Sequence, residues 1–311
     1  MRNEFIEELT NLAAVDDRVI LLTGDLGFTV LEDFAERYPD RFFNAGVAEQ
    51  NMTGMATGLA EAGFVPFTYS IAPFAALRPF EFIRNGAALH RLPVRIVGVG
   101  GGFDYGQNGI THFALEDIGI MRMQPAVTVV APSDADQTRA AVHATADVEG
   151  PIYFRIGKAG APIPGLYGRF QLGRAALIGV GTDVAIVTVG SAARAAVDTA
   201  DLLADQGILA TVAVVSTFNP APDEDVADLL ARVPLAVTIE THYLPGGLGS
   251  WVSELVAERN LNCQVIRRGV DAMPHGHSGS QQFFERHFGL TAPQVADTVK
   301  RQRSIQPSPQ V

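Results

Sequence analysis

PIYFRIGKAGAPIPGLYGRFQLG, residues 151–173, changes texture part-way along, and that change decides the fold. PIYFRIG (151–157) is an apolar run of strand length. From residue 157 glycine and proline crowd in and periodicity is lost, which marks a connection between domains. Upstream, short apolar runs alternate with longer amphipathic ones. VILLTGD (19–25) reads as a buried strand ending in a turn, and NMTGMATGLAEAG (51–63) as a helix of small residues stopped by Gly63. VRIVGVG (94–100) and VTVVAP (127–132) are further strands, and DADQTRAAVHATAD (134–147) is a helix with Ser133 or Asp134 as N-cap. Downstream the alternation restarts: strands at 183–190, 210–217 and 235–240, helices at 191–207, 223–233 and 249–260. The pattern predicts an α/β chain. A doubly wound, mostly parallel sheet is expected over 1–160, a linker over 161–173, a smaller α/β domain over 174–303 and a disordered tail over 304–311.

Bulk properties narrow the function classes. The 311 residues are 47% hydrophobic and 18% charged, enough apolar material for large cores. A net charge of -11 disfavours nucleic acid and anionic membranes, which reward Lys and Arg. Cys263 is the single cysteine, so neither a disulfide framework nor a thiolate metal site is expected. No apolar run approaches the roughly 18 residues of a membrane span. The first residues, MRNEFIEELTNLA, do not read as a signal peptide, which makes the cytoplasm the expected location. His275-Gly276-His277 lacks a third ligand, so no metal site is assigned to this chain.

Three segments carry candidate chemistry. In NAGVAEQNM (44–52) Glu49 stands just before a helix lined with Gly and Ala. A carboxyl buried there would favour its protonated form, whereas a first-turn Glu is also an ordinary partner of the helix dipole. YSIAPFAALRPFEFIRN (69–85) repeats aromatic and aliphatic groups through two prolines, fit for the wall of a pocket for a flat ring or for plain core. GGGFDYGQNGITH (100–112) packs glycines around one His after a strand, where α/β folds bind ligands. It has neither GxGxxG order nor a P-loop.

Taken in order, these segments resemble the C-terminal half of transketolase. NAGVAEQNM is similar to the family's G-(I/V)-x-E-Q motif, and GQNGITHFALEDIGIMR (106–122) to its D-G-x-T-H-x-x-x-E-x segment. APSDADQT (131–138), Glu240-Thr241-His242 with Gly246-Gly247-Leu248-Gly249-Ser250, and GLTAPQV (289–295) match further family segments. The resemblance implies a pyrimidine-binding domain for thiamine diphosphate, followed by the family's C-terminal domain. It makes Glu49 the catalytic acid on N1′ of the aminopyrimidine, with Ile71, Phe74 and Leu77 around that ring. It makes Arg2, Asn108, His112 and Arg155 the substrate contacts. Asn108 replaces a family Asp, and Gly100 replaces a phosphate-contacting His, so an unusual or unphosphorylated sugar is expected.

What is absent also shapes the expectation. The family's Gly-Asp-Gly segment for Mg²⁺ and the diphosphate does not occur here. The resemblance therefore implies a partner, an N-terminal-half subunit that carries the diphosphate domain and the Mg²⁺ ligands, in an α2β2 enzyme. Such an enzyme moves a two-carbon ketol unit between a ketose-type donor and an aldehyde. The alternatives are the β subunit of a 2-oxo acid dehydrogenase, a synthase that condenses pyruvate with an aldose phosphate, and a non-catalytic binding subunit.

Overall fold

The computed structural model describes residues 1–305. Seven strands form one sheet: β1 (Val19–Thr23), β2 (Phe42–Asn44), β3 (Val65–Ile71), β4 (Arg95–Val99), β5 (Thr128–Val130), β6 (Ile152–Ile156) and, from further along the chain, β10 (Thr217–Phe218). Their order is β10-β5-β6-β4-β3-β1-β2, parallel throughout except for β10. The second sheet runs β12-β11-β8-β9-β7, from β7 (Ala175–Ile178), β8 (Val184–Val189), β9 (Ala210–Val215), β11 (Leu235–Tyr243) and β12 (Gln264–Val270). Only β7 is antiparallel there.

Strands covered on both faces need no alternation of polar and apolar residues, and β1, β4, β6 and β8 are buried at every position. Parity still sorts them. Ile20 and Leu22 of β1 join one apolar cluster, while Val19 and Leu21 join another with Phe5 and Phe154. The first of these clusters also holds Ala185, Val187 and Val189 of β8 and Phe218 of β10. One continuous core therefore lies between the two sheets.

Several boundaries differ from the sequence reading. The helix expected from residue 51 spans Glu49–Glu61, which makes Glu49 its first residue. The expected strand 210–217 breaks at Ser216, and its last residue joins Phe218 in the other sheet. The tail assignment is corrected at its start: Ser304 and Ile305 continue the helix Ala292–Ile305, because Arg303 anchors that turn on Asp183. The rest of that tail, 306–311, lies outside the described residues. Among the described residues no helix is long and apolar enough to cross a membrane.

Candidate active site

Glu49 opens its helix at the carboxyl end of the first sheet, between the turns that follow β1 and β2. The chain must pass closely here: a Cβ on Gly24 would lie 3.3 Å from the Gly46 carbonyl and 3.7 Å from Glu49 Oε1. Gly46 itself has φ +72, a left-handed turn suited to glycine. Glu49 is buried. Its Oε1 accepts a long hydrogen bond from Ser70 Oγ (3.4 Å), and its Oε2 accepts one from Arg78 Nη1 at 2.8 Å. The unpaired amides of the first helical turn add positive potential at the same place.

From Glu49 a strip of side chains leads away. Arg78 lays its guanidinium over Phe74, with Cζ 3.9 Å from the ring centroid. Phe74 meets His112 edge-on at 5.1 Å, and His112 lies 6.3 Å from the Tyr105 ring. Burial, and after it the charge of Arg78, holds the His112 imidazole below its usual pKa. Burial raises the Tyr105 phenol above its usual pKa against the nearby charge of Arg2, and the Lys158 ammonium lies 4.4 Å from the Tyr105 ring centroid. Its ring lies on Gly100, where a Cβ would come within 2.2 Å of it. Arg2 Nε is buried without a hydrogen-bond partner. Among the residues predicted from sequence, Glu49, Phe74, His112 and Arg2 thus share one strip. Ile71 is half-buried at the end of β3, Leu77 is exposed beside Arg78, and Asn108 is exposed in the 3-10 turn Gly106–Asn108.

The second domain holds the glycine-rich loop in place. Phe103 stacks on Phe284 at 4.4 Å, and Gly279 N donates to Gly106 O. A Cβ at Gly106 would sit 2.5 Å from the Gly279 carbonyl, so the contact requires glycine.

Arg155 is held by contacts within the chain. It is 4% exposed and points inward from β6. Its Nε donates to Asp117 Oδ2 at 2.8 Å, and its Nη2 donates to the carbonyls of Ala114 and Thr241, each at 2.9 Å. Tyr153 Oη donates to the same Asp117 oxygen at 2.8 Å, and burial holds its phenol far above the usual range. With Nε and Nη2 turned to the fold's own acceptors, Arg155 serves as a pin between the domains.

The Glu240–His242 motif belongs to that pin. His242 Nε2 accepts from Gly119 N at 3.1 Å, so its proton sits on Nδ1, which donates to the Tyr243 carbonyl at 2.7 Å. Glu240 caps the helix Leu248–Glu258 by accepting from the amides of Leu248 and Gly249. A Cβ at Gly247 would lie 2.1 Å from Glu240 Oε2, which accounts for glycine there. Sequence reasoning passed over Arg78 and Tyr105 as site residues. The signals were present: a cation next to Leu77, and one bulky ring in a run of glycines.

Among the described residues no group of three or more His, Cys, Asp or Glu could hold a metal ion. Glu49 and Phe74 do suit a flat nitrogen-bearing ring, since the planar guanidinium of Arg78 already stacks on one and hydrogen-bonds the other.

Similarity to known proteins runs the length of this architecture. Residues 1–162 match the transketolase pyrimidine binding domain family and residues 173–295 the transketolase C-terminal domain family. The chain is 36% identical over 298 residues to a 6-deoxy-6-sulfo-D-fructose transketolase subunit of Clostridium sp. (strain MSTE9), covering 95% of this chain and 92% of that one. It is 33% identical over 302 residues to an apulose-4-phosphate transketolase subunit of Phocaeicola vulgatus, covering 96% and 95%. A solved structure titled as a split gene transketolase, inactive beta4 tetramer, superposes with TM-score 0.85 at 35% identity over 96% of both chains.

Proposed function

We propose, from the premise that this chain belongs to the transketolase family, that it is the smaller subunit of a split transketolase. A second chain would supply the domain that binds the diphosphate and Mg²⁺, two copies of each would assemble, and the site would be shared between unlike chains. The observation that carries this reading is Glu49, a buried carboxyl at the head of the strip, in a chain whose segments around it leave the apolar Val47, Leu77 and Ile110 exposed. Exposed apolar side chains of this kind suit a partner surface. The solved relative whose title calls a beta4 tetramer inactive supports the same division of labour. The limits 1–160 and 174–303 for the two domains, and a cytoplasmic location, belong to this proposal.

Each residue of the strip then has a task. Glu49 holds a proton toward N1′ of the aminopyrimidine. Ile71, Phe74 and Leu77 give that ring an apolar bed that excludes water. When bound, thiamine diphosphate supplies the nucleophile that carries the two-carbon unit. His112, kept neutral by burial and by Arg78, is able to exchange a proton with a substrate hydroxyl. Asn108 at the rim offers a neutral hydrogen bond. The far end of the strip is cationic through Arg2 and Lys158, which suits a sugar bearing a phosphate or sulfonate, the two groups named in the relatives' substrates.

The test is a ketol-transfer assay with thiamine diphosphate and Mg²⁺, run on this chain alone and with the product of its neighbouring gene. Turnover only in the mixture is expected. Full turnover from the chain alone would sink the split-enzyme reading.

A further inference from the structure

We infer that the Arg78 guanidinium is a built-in stand-in for the cofactor's flat ring, seated on Glu49 and Phe74 in the free chain and displaced when the ring arrives. The inference rests on the reading of Glu49 and Phe74 as the seat of that ring.

The seat has two demands, a stacking surface and a hydrogen-bonding carboxyl. Arg78 meets both at once, 3.9 Å above the Phe74 centroid and 2.8 Å from Glu49 Oε2. A guanidinium is planar, delocalised and edged with nitrogen, as an aminopyrimidine is. Two groups cannot share one face of Phe74 and one carboxylate edge. The neighbours of Glu49 explain why something must sit there. Ser70 reaches it from β3 at 3.4 Å, and the turns bring only the backbones of Gly24 and Gly46. Arg78 is the one cation paired with it among the described residues, and His112 stands beyond Phe74. A buried carboxylate left without a counter-charge is costly, and Arg78 removes that cost while the seat is free.

Arg78 is also placed to leave. It lies in the turn between the helices Ala72–Ala76 and Phe80–Phe82, and its side chain is 41% exposed. A swing into solvent breaks one ion pair and one stacking contact and disturbs no core packing. The ring then binds against an occupied seat, so its apparent affinity is lowered by the fraction of time the seat is open.

The purified full chain is titrated with 4-amino-5-hydroxymethyl-2-methylpyrimidine, the ring alone, by calorimetry. The Arg78 Nε–H resonance is followed by NMR in the same titration. Arg78→Gln keeps a donor for Glu49 but loses the charge, and it should bind the ring roughly tenfold or more tightly than wild type. Arg78→Lys keeps the charge without the plane and should fall between them. In wild type the Nε–H signal should move as the ring binds. Equal or weaker binding by Arg78→Gln overturns the stand-in, and so does wild-type affinity in Arg78→Lys. A separate arm uses thiamine diphosphate and the chain assembled with its partner. Binding that depends on Glu49 there, with no effect of Arg78→Gln on the ring, defeats the stand-in alone. No binding there, with or without Glu49→Gln, defeats the cofactor reading itself.

Discussion

Glu49 with Arg78, and Asp117 with Arg155, are both carboxylate–guanidinium pairs closed at 2.8 Å. Their surroundings differ. The Arg155 side chain is 3% exposed and that of Arg78 41%. Arg155 Nη2 donates to two carbonyls from different domains, whereas Arg78 rests on one aromatic ring at the surface. The sealed pair has no second state open to it without separating the domains. The open pair has one within a rotamer change. Identical chemistry therefore yields a structural pin in one place and an exchangeable pair in the other, and the dielectric and the number of spare partners decide which.

The sharpest way to break this contrast is Asp117→Ala. It leaves Arg155 buried without a counter-charge, and denaturant unfolding should show a loss of about 3–5 kcal/mol. A loss below about 1 kcal/mol would place the sealed pair among exposed ones. Glu49→Gln should do the reverse: turnover of the assembled enzyme falls about a hundredfold or more while stability changes little. Normal turnover in steady-state kinetics would remove Glu49 from catalysis.

The sealed region should also reveal itself through pH. Burial pushes the Glu240 carboxyl from its usual 4.5 up to about 7, against the pull of its two amide donors. The folded chain then holds that proton more tightly than the unfolded chain does. Its stabilising contribution is complete below about pH 4.5 and is lost as pH rises toward about 7. Unfolding curves across that window should decline for wild type relative to Glu240→Gln. A constant difference would mean that the amide donors prevail over burial. The smallest effect belongs to the open region. Arg78→Gln should move the His112 titration upward in NMR, short of the usual value, because burial is the larger cause of its depression. An unmoved His112 would mean that Arg78 spends its time elsewhere.

The two pairs were unequally legible in the sequence. Alternation of runs predicted both α/β units, and the motif order singled out Glu49. Asp134 proved to be the N-cap in place of Ser133, accepting from Gln137 N at 2.8 Å. Burial on both faces is what hid the role of Arg155. In a strand with every position covered, parity assigns a face but cannot separate a solvent-facing side chain from an inward one. Arg78 lay outside any regular period, in a turn beside a proline, where patterning says nothing about direction. Strand β10 has two residues, too few for any periodic signal.

That small strand has a consequence for anyone recombining these domains. Thr217 and Phe218 pair with Val130 and Val129 at the edge of the first sheet, and the Asn219 side chain donates to the carbonyls of Arg122, Gln124 and Val127. A chain cut in the 161–173 connection would leave β5 as a bare edge, ready to pair with a copy of itself. A chimera that borrows its second half from a relative would need to import a matching Thr-Phe-Asn splice for the first half to stay monodisperse.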